Sequence, residues 1–266
     1  MKQNAGFSVS AVALGILTAA LADMDAPGGS VRAVILYSLV NTGCLTVFVL
    51  LAGIFWQSAG KCRRPAALVL AVWLLVELTQ TILQTHHIAQ QEFRSMALIG
   101  ILPFLLWAGW NIVPCSWNAS ARVLWWFLAL GGVICLLGLF GQLSWPRLVA
   151  SDALLPVQKP TAVFYAEYLL WPLLCPDASM RKATCLPWVA CAVQVTSAMG
   201  MGLVFGASGY PALELLRAWS VGAFSRIDAL LLLIWLACAV YRVCTLCAAL
   251  HICYSKVIGE KRRMPD

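Results

Sequence analysis

Four ionisable side chains stand where the chain around them is apolar: Glu77 within LLVELTQTILQ, Glu167 within TAVFYAEYLLWPLLC, and Asp228 and Arg242 within SRIDALLLLIWLACAVYR. A charge held in hydrocarbon costs on the order of a few kcal/mol, so such a residue faces an opposite charge, a wet cavity or a passing ion or solute. Three acids and one base in that setting support two kinds of chemistry. They can hold one another as buried ion pairs, or they can bind and release a proton, an ion or a charged solute. On the first reading Glu167 ties its helix to the one that carries Arg242; on the second it is a ligand or coupling group. Both readings turn Glu167 inward. Arg242 reads as a charge partner rather than a solute ligand. Glu77, with Gln80 and Gln84 at helical spacing, is either a further buried acid or part of a polar contact between helices. Asp228 opens its apolar run and suits the positive end of a helix dipole.

Catalytic alternatives fail on spacing. Gly206-Ala-Ser-Gly209 has the form of an intramembrane serine protease motif, with His251 as its candidate base. A single helix from 226 to 251 would separate the two ends by about 37 Å, at roughly 1.5 Å per residue. Cys244, Cys247 and His251 share a helix face, but a closed metal site needs about four ligands and a second element. His86-His87 with Glu92 lacks the histidine-rich motifs of membrane di-iron enzymes in a chain with 3 histidines. These groups read as packing and loop residues. The expectation is no enzyme, no metal and no cofactor.

The elements that position the charged residues follow from composition. With 62% hydrophobic and 11% charged residues, the chain holds more apolar surface than a soluble domain of 266 residues can hide. The predicted fold is an all-α integral membrane bundle, a single transmembrane domain over 1–266. Its eight predicted spans are 7–22, 31–56, 65–85, 96–113, 122–143, 161–175, 185–205 and 227–254. The run 7–22 has features of a signal peptide but reads as the first of the eight. The polar string His86, His87, Gln90, Gln91, Glu92, Arg94 closes the third. The 11 cysteines lie mostly inside the runs and act as small apolar packing residues, with no disulfide framework. The formal charge of +7 does not indicate nucleic acid, because the basic residues fall between the runs.

Orientation follows from lysine and arginine. With the N-terminus inside, the inner segments hold Lys2, Lys61, Arg63, Arg64, Arg122, Arg181, Lys182, Lys256, Lys261, Arg262 and Arg263, eleven of the 18 basic residues. The outer ones hold six, and Arg242 lies within the eighth span. The positive-inside rule then places both termini in the cytoplasm. The first span, with Gly15 at its centre, and the sixth, with Pro172, are the shortest. Short or interrupted runs at matching places in two halves mark the solute site of inverted-repeat transporters. A separation of five helices is what a five-plus-five repeat requires.

The order LLPV, FYAEYLL, SGYPALELLR and SRIDALLLLIWLACAVYR resembles the spore germination permease family of GerAB type, a branch of the amino acid, polyamine and organocation transporters. Glu167, Tyr210, Pro211, Asp228 and Trp235 stand at the family's characteristic places, and Arg242 stands where the family tends to have a lysine. The resemblance covers 154–254 best. It implies an incomplete five-plus-five fold, since the family has ten spans and its sixth is longer. It also implies an amino acid or similar small solute beside broken spans one and six, with Gly15, Phe164, Glu167 and Tyr168 facing the solute. Glu167, Arg242, Asp228 and Glu77 would serve ion or charge coupling. The partners implied are the small solute, membrane lipid and other germination-receptor subunits, in a bacterial inner membrane. A structural or regulatory subunit that keeps the fold without transport is the alternative. The topology predicts that Cys62, in the loop after the second span, is labelled by a membrane-impermeant thiol reagent from the cytoplasmic face; labelling from the outer face alone contradicts it.

Overall fold

The computed structural model describes residues 6–22, 31–58, 63–93, 98–139, 143–146, 149, 164–176, 178–204 and 227–258, without the side chains of 22, 63, 91–93, 98, 99, 135, 136, 138, 139 and 227–229. Every element among them is a helix: α1 Val9–Ala22, α2 Val31–Ser58, α3 Arg63–Phe93, α4 Leu98–Trp110, α5 Pro114–Leu139, α6 Glu167–Leu174, the single turn α7 Met180–Ala183, α8 Leu186–Val204 and α9 Ile227–Ile258. Each of the eight apolar runs overlaps one of these helices, and α7 lies in the connection before α8. Four stretches, within α2, α3, α7–α8 and α9, are long and apolar enough to cross a membrane, while α1 and α4 are shorter apolar helices.

Local chemistry sets where the helices begin and end. Ser8 caps α1 by accepting the Ala11 N–H on its hydroxyl at 3.3 Å. Pro114 opens α5, where a missing N–H costs nothing. The sequence places the fifth span at 122, but the helix starts two turns earlier. Asn118 and Trp117 in those turns face inward, to the Gly6 carbonyl at 3.2 Å and the Thr245 hydroxyl at 3.0 Å. The polar string after Thr85 does not end α3, which continues to Phe93. Leu70, Leu74, Leu78, Thr81, Thr85 and Ala89 form one buried stripe at steps of three and four, so the helix outlasts its apolar run.

The bundle is built around α9. In its apolar stretch 72% of residues are buried, against 22% in α2 and 28% in α3. The outward faces of α2 and α3 are apolar, with Leu36, Val40, Val69 and Val76 all more than half exposed, a surface compatible with lipid. Gly109 lets α4 lie against α9: a Cβ there would stand 2.8 Å from Cys247 Cβ and 3.0 Å from the Cys244 backbone. Cys244 and Cys247 donate their thiols to the Leu105 and Leu106 carbonyls at 3.6 and 3.3 Å. His251 stacks on Trp110 with ring centroids 4.3 Å apart. These contacts place the three residues once considered as metal ligands in a helix-packing seam.

The short helices α1 and α6 are innermost, but they are not the two shortest as the sequence suggested: α4, with 13 residues, is one residue shorter than α1 and lies largely at the surface. At about 1.5 Å per residue the 14-residue α1 is about 21 Å long and the 8-residue α6 about 12 Å. Residues 11–16 and 18–20 of α1 are all buried, as expected of a helix that is apolar on every side. The two run antiparallel: the Phe7 N–H donates to the Leu174 carbonyl at 2.8 Å at one end, and Gly15 lies against Glu167 at the other. From α2, the Val49 carbonyl accepts the Trp171 indole N–H at 3.2 Å, which anchors α6.

Gly109→Ala should destabilise the protein by about 1–3 kcal/mol, because the new methyl meets backbone that cannot yield. Gly43→Ala, at a site with nothing within 4 Å, should be neutral or stabilising by up to about 1 kcal/mol. Thermal unfolding of the two variants in detergent checks the contrast, and equal losses would contradict this packing.

Candidate functional site: a buried cluster of two acids and one base

Arg242 is the sixteenth residue of the 32-residue α9, and Glu77 the fifteenth of the 31-residue α3. Each therefore lies about 21–24 Å from either end of its helix. Glu167 is the first residue of α6, and Gly15 is the seventh of 14 in α1. Four helices thus bring these residues to one level, halfway along the long helices.

At that level the guanidinium of Arg242 is surrounded by protein acceptors. Its Nε donates to Glu167 Oε1 at 2.7 Å and its Nη2 approaches Glu167 Oε2 at 3.4 Å, a forked approach to one carboxylate. Nη2 also donates to Glu77 Oε1 at 2.5 Å, and Nη1 to Thr81 Oγ1 at 2.8 Å. Thr81 in turn donates to the Glu77 carbonyl at 2.8 Å. The Tyr165 ring faces the guanidinium carbon at 5.9 Å. Arg242 and Glu167 are buried, with 4% and 1% of their side chains exposed, and Glu77 retains 14%.

The number of helices involved separates this cluster from a simple salt bridge. Two carboxylates, one from α3 and one from α6, face one guanidinium of α9. Buried charge is tolerated when paired and hydrogen-bonded, and Arg242 is paired with both acids at once. Such a cluster can lock three helices together, and its carboxylates are groups that can also bind a cationic solute.

Gly15 is the part of α1 that makes room for it. A Cβ at this position would stand 3.1 Å from Glu167 Oε1, so α1 passes the carboxylate without a side chain between them. On the far side of Glu167, Phe164 and Tyr168 meet edge-on with centroids 5.9 Å apart. Tyr168 is fully buried, and its hydroxyl has no hydrogen-bond partner among the described residues.

The residues singled out from the sequence separate into groups. Glu77, Glu167, Arg242 and Gly15 meet, with Phe164 and Tyr168 adjacent. The side chain of Asp228 lies outside the described residues, as do 206–209, Tyr210 and Pro211. Gln80 and Gln84 are exposed, and the contact to Arg242 is made by Glu77 and Thr81. Trp235 packs against Ala89 and Leu236, away from the cluster. Thr81 and Tyr165 were not foreseen; the spacing of Glu77, Thr81 and Thr85 in steps of four is the signal for the first.

Stability should follow the pairing of Arg242. Glu167→Gln or Glu77→Gln leaves one acid against Arg242 and should cost no more than about 1 kcal/mol. Arg242→Met takes the cation away from the buried Glu167 and should cost about 3–5 kcal/mol. Adding both glutamine substitutions to Arg242→Met should recover most of that loss. Equilibrium unfolding of the four variants checks the order, and Glu167→Gln as damaging as Arg242→Met would refute it.

No known protein family, curated protein or solved structure matches the chain, so any function must be argued from the chemistry of this cluster.

Proposed function

We propose that this chain is a multi-pass membrane permease-like protein that binds an amino acid or similar small ammonium-bearing solute at mid-depth, beside α1 and the start of α6. The observation behind this reading is the Glu77–Arg242–Glu167 cluster itself, which sets two carboxylates halfway along the long helices, beside α1 and the start of α6. In inverted-repeat transporters the solute site lies near the bilayer midplane, at interrupted helices in equivalent places. The antiparallel pairing of short α1 with short α6, at the level of the cluster, supports a site of that kind.

In this reading the solute ammonium binds on the side of the less buried Glu77. Glu167 stays forked to Arg242 and fixes the cation in place. Tyr168 offers its buried hydroxyl, and Phe164 closes the aromatic side. The residue pattern resembling germination permeases is the support for a place in a receptor assembly, with both termini in the cytoplasm.

One observation favours a second reading, a structural subunit without transport. Arg242 already directs four of its five N–H groups at protein acceptors, as a lock between α3, α6 and α9 would.

Thermal unfolding of the purified protein against a panel of amino acids separates the two readings. A bound solute stabilises the native state by about 2.7 kcal/mol at one hundred times its Kd. The permease reading predicts that at least one amino acid raises Tm, that its N-acetyl derivative does not, and that Glu77→Gln abolishes the rise while remaining folded. No shift with any amino acid, or an equal shift with the acetylated form, favours the lock.

A further inference from the structure

The described cations gather at one end of the bundle. Lys256 lies over the Trp56 ring at 5.7 Å near the ends of α9 and α2. Lys182 borders the same pocket as Ser8 at the start of α1, with Arg181 beside it. Arg122 lies between Asn118 and Trp125, which bond to Ser8 and Ser10, and exposed Arg64 precedes Pro65 at the start of α3. Of the described cations outside the cluster, Arg32 alone opens a helix at the opposite end.

At this basic end Trp56 is the shared wall of two cavities. One, of ≈ 230 Å³, includes Gln57, Trp171, Cys175 and Lys256 in its lining. The other, of ≈ 610 Å³, is a groove between α2 and α3 with a wholly apolar lining. The groove begins at Trp56 and Pro65 and reaches Phe48 and Trp73, eight residues or about 12 Å deeper along each helix. At its inner end the rings of Phe48 and Trp73 pack on Phe164, with centroids 5.0 and 5.3 Å away. Phe164 is three residues before Glu167.

A cationic pocket joined through an indole to a long apolar groove has the polarity of one amphiphile, with an anionic head at the basic end and a hydrocarbon chain directed inward. Basic pockets between membrane helices take anionic headgroups, and tryptophan sits at headgroup level. We propose that these two cavities form a binding site for a single anionic phospholipid. Its phosphate lies by Lys256 and its headgroup against Trp56 and Gln57. One acyl chain fills the groove and ends on Phe164. The site is independent of whether α1 and α6 bind a solute, and it gives lipid a direct contact with the segment that leads into Glu167.

Native mass spectrometry of the full chain in detergent tests the site, with equal phosphatidylglycerol and phosphatidylcholine of the same acyl chains. One phosphatidylglycerol should be retained in preference. Lys256→Gln should weaken its retention about fivefold, as removal of one cation near a headgroup predicts, and leave phosphatidylcholine unchanged. Lys256→Arg should keep the preference. Val69→Trp, which fills the groove from an exposed position, should lower retention of both lipids. If that variant fails to fold, dioctanoyl phosphatidylglycerol replaces it as the probe and should be held more weakly than the long-chain lipid. Equal retention of the two headgroups, unchanged retention in Lys256→Gln, displacement by inorganic phosphate alone, or a dimer in place of a lipid adduct would each overturn the proposal.

Discussion

The interaction on which the rest of this structure depends is the burial of one guanidinium between two carboxylates. Arg242 cannot shed its proton, so its charge must be met wherever the fold places it. Glu77 from α3 and Glu167 from α6 meet it, and Gly15 in α1 leaves the space. Apolar packing alone specifies rotation and depth weakly, because each of these helices is apolar on most faces. The cluster supplies the missing specification. Only one register of α3, α6 and α9 brings Glu77, Glu167 and Arg242 within hydrogen-bond reach, and a slip of one turn would strand a charge.

Two features give the cluster a meaning beyond structure. It lies halfway along the long helices rather than near an end, where a side chain could reach water at little cost. It also gathers two acids from different helices on one base. α6 begins at Glu167, so the carboxylate occupies the end of a short helix and not the flank of a long one. The arrangement found keeps a helix end, a buried hydroxyl on Tyr168 and two carboxylates together in one place.

Much of this was legible in the sequence, for a physical reason. Glu167 and Arg242 each stand in an apolar run, and a lone charge there requires a partner, so their meeting follows from very little. The shortness of the sixth span was also visible, since helix length maps directly onto residue count, but the first is not set apart in this way, because α4 is one residue shorter than α1. Which face of α3 turns inward was not. Leucines occupy both faces, and the outer face adds Val69, Val72, Trp73 and Val76, so hydropathy does not separate inside from outside. Gln80 and Gln84 therefore looked as well placed as Thr81, although they are exposed. Helix ends were similarly hidden. α3 runs through His86 and Gln90 because its buried stripe continues to Ala89, and α5 begins at Pro114 because Trp117 and Asn118 have inward partners.

The account stands or falls on the three charged side chains meeting at mid-depth. An electron cryomicroscopy structure of the chain in a lipid nanodisc tests that most directly. The account predicts Arg242 in hydrogen-bond contact with both Glu77 and Glu167, with Gly15 against Glu167 and all four near the middle of the lipid slab. Glu167 facing lipid or an aqueous loop, with its carboxylate more than about 10 Å from Arg242 and so beyond a Debye length at about 0.1 M salt, would contradict it.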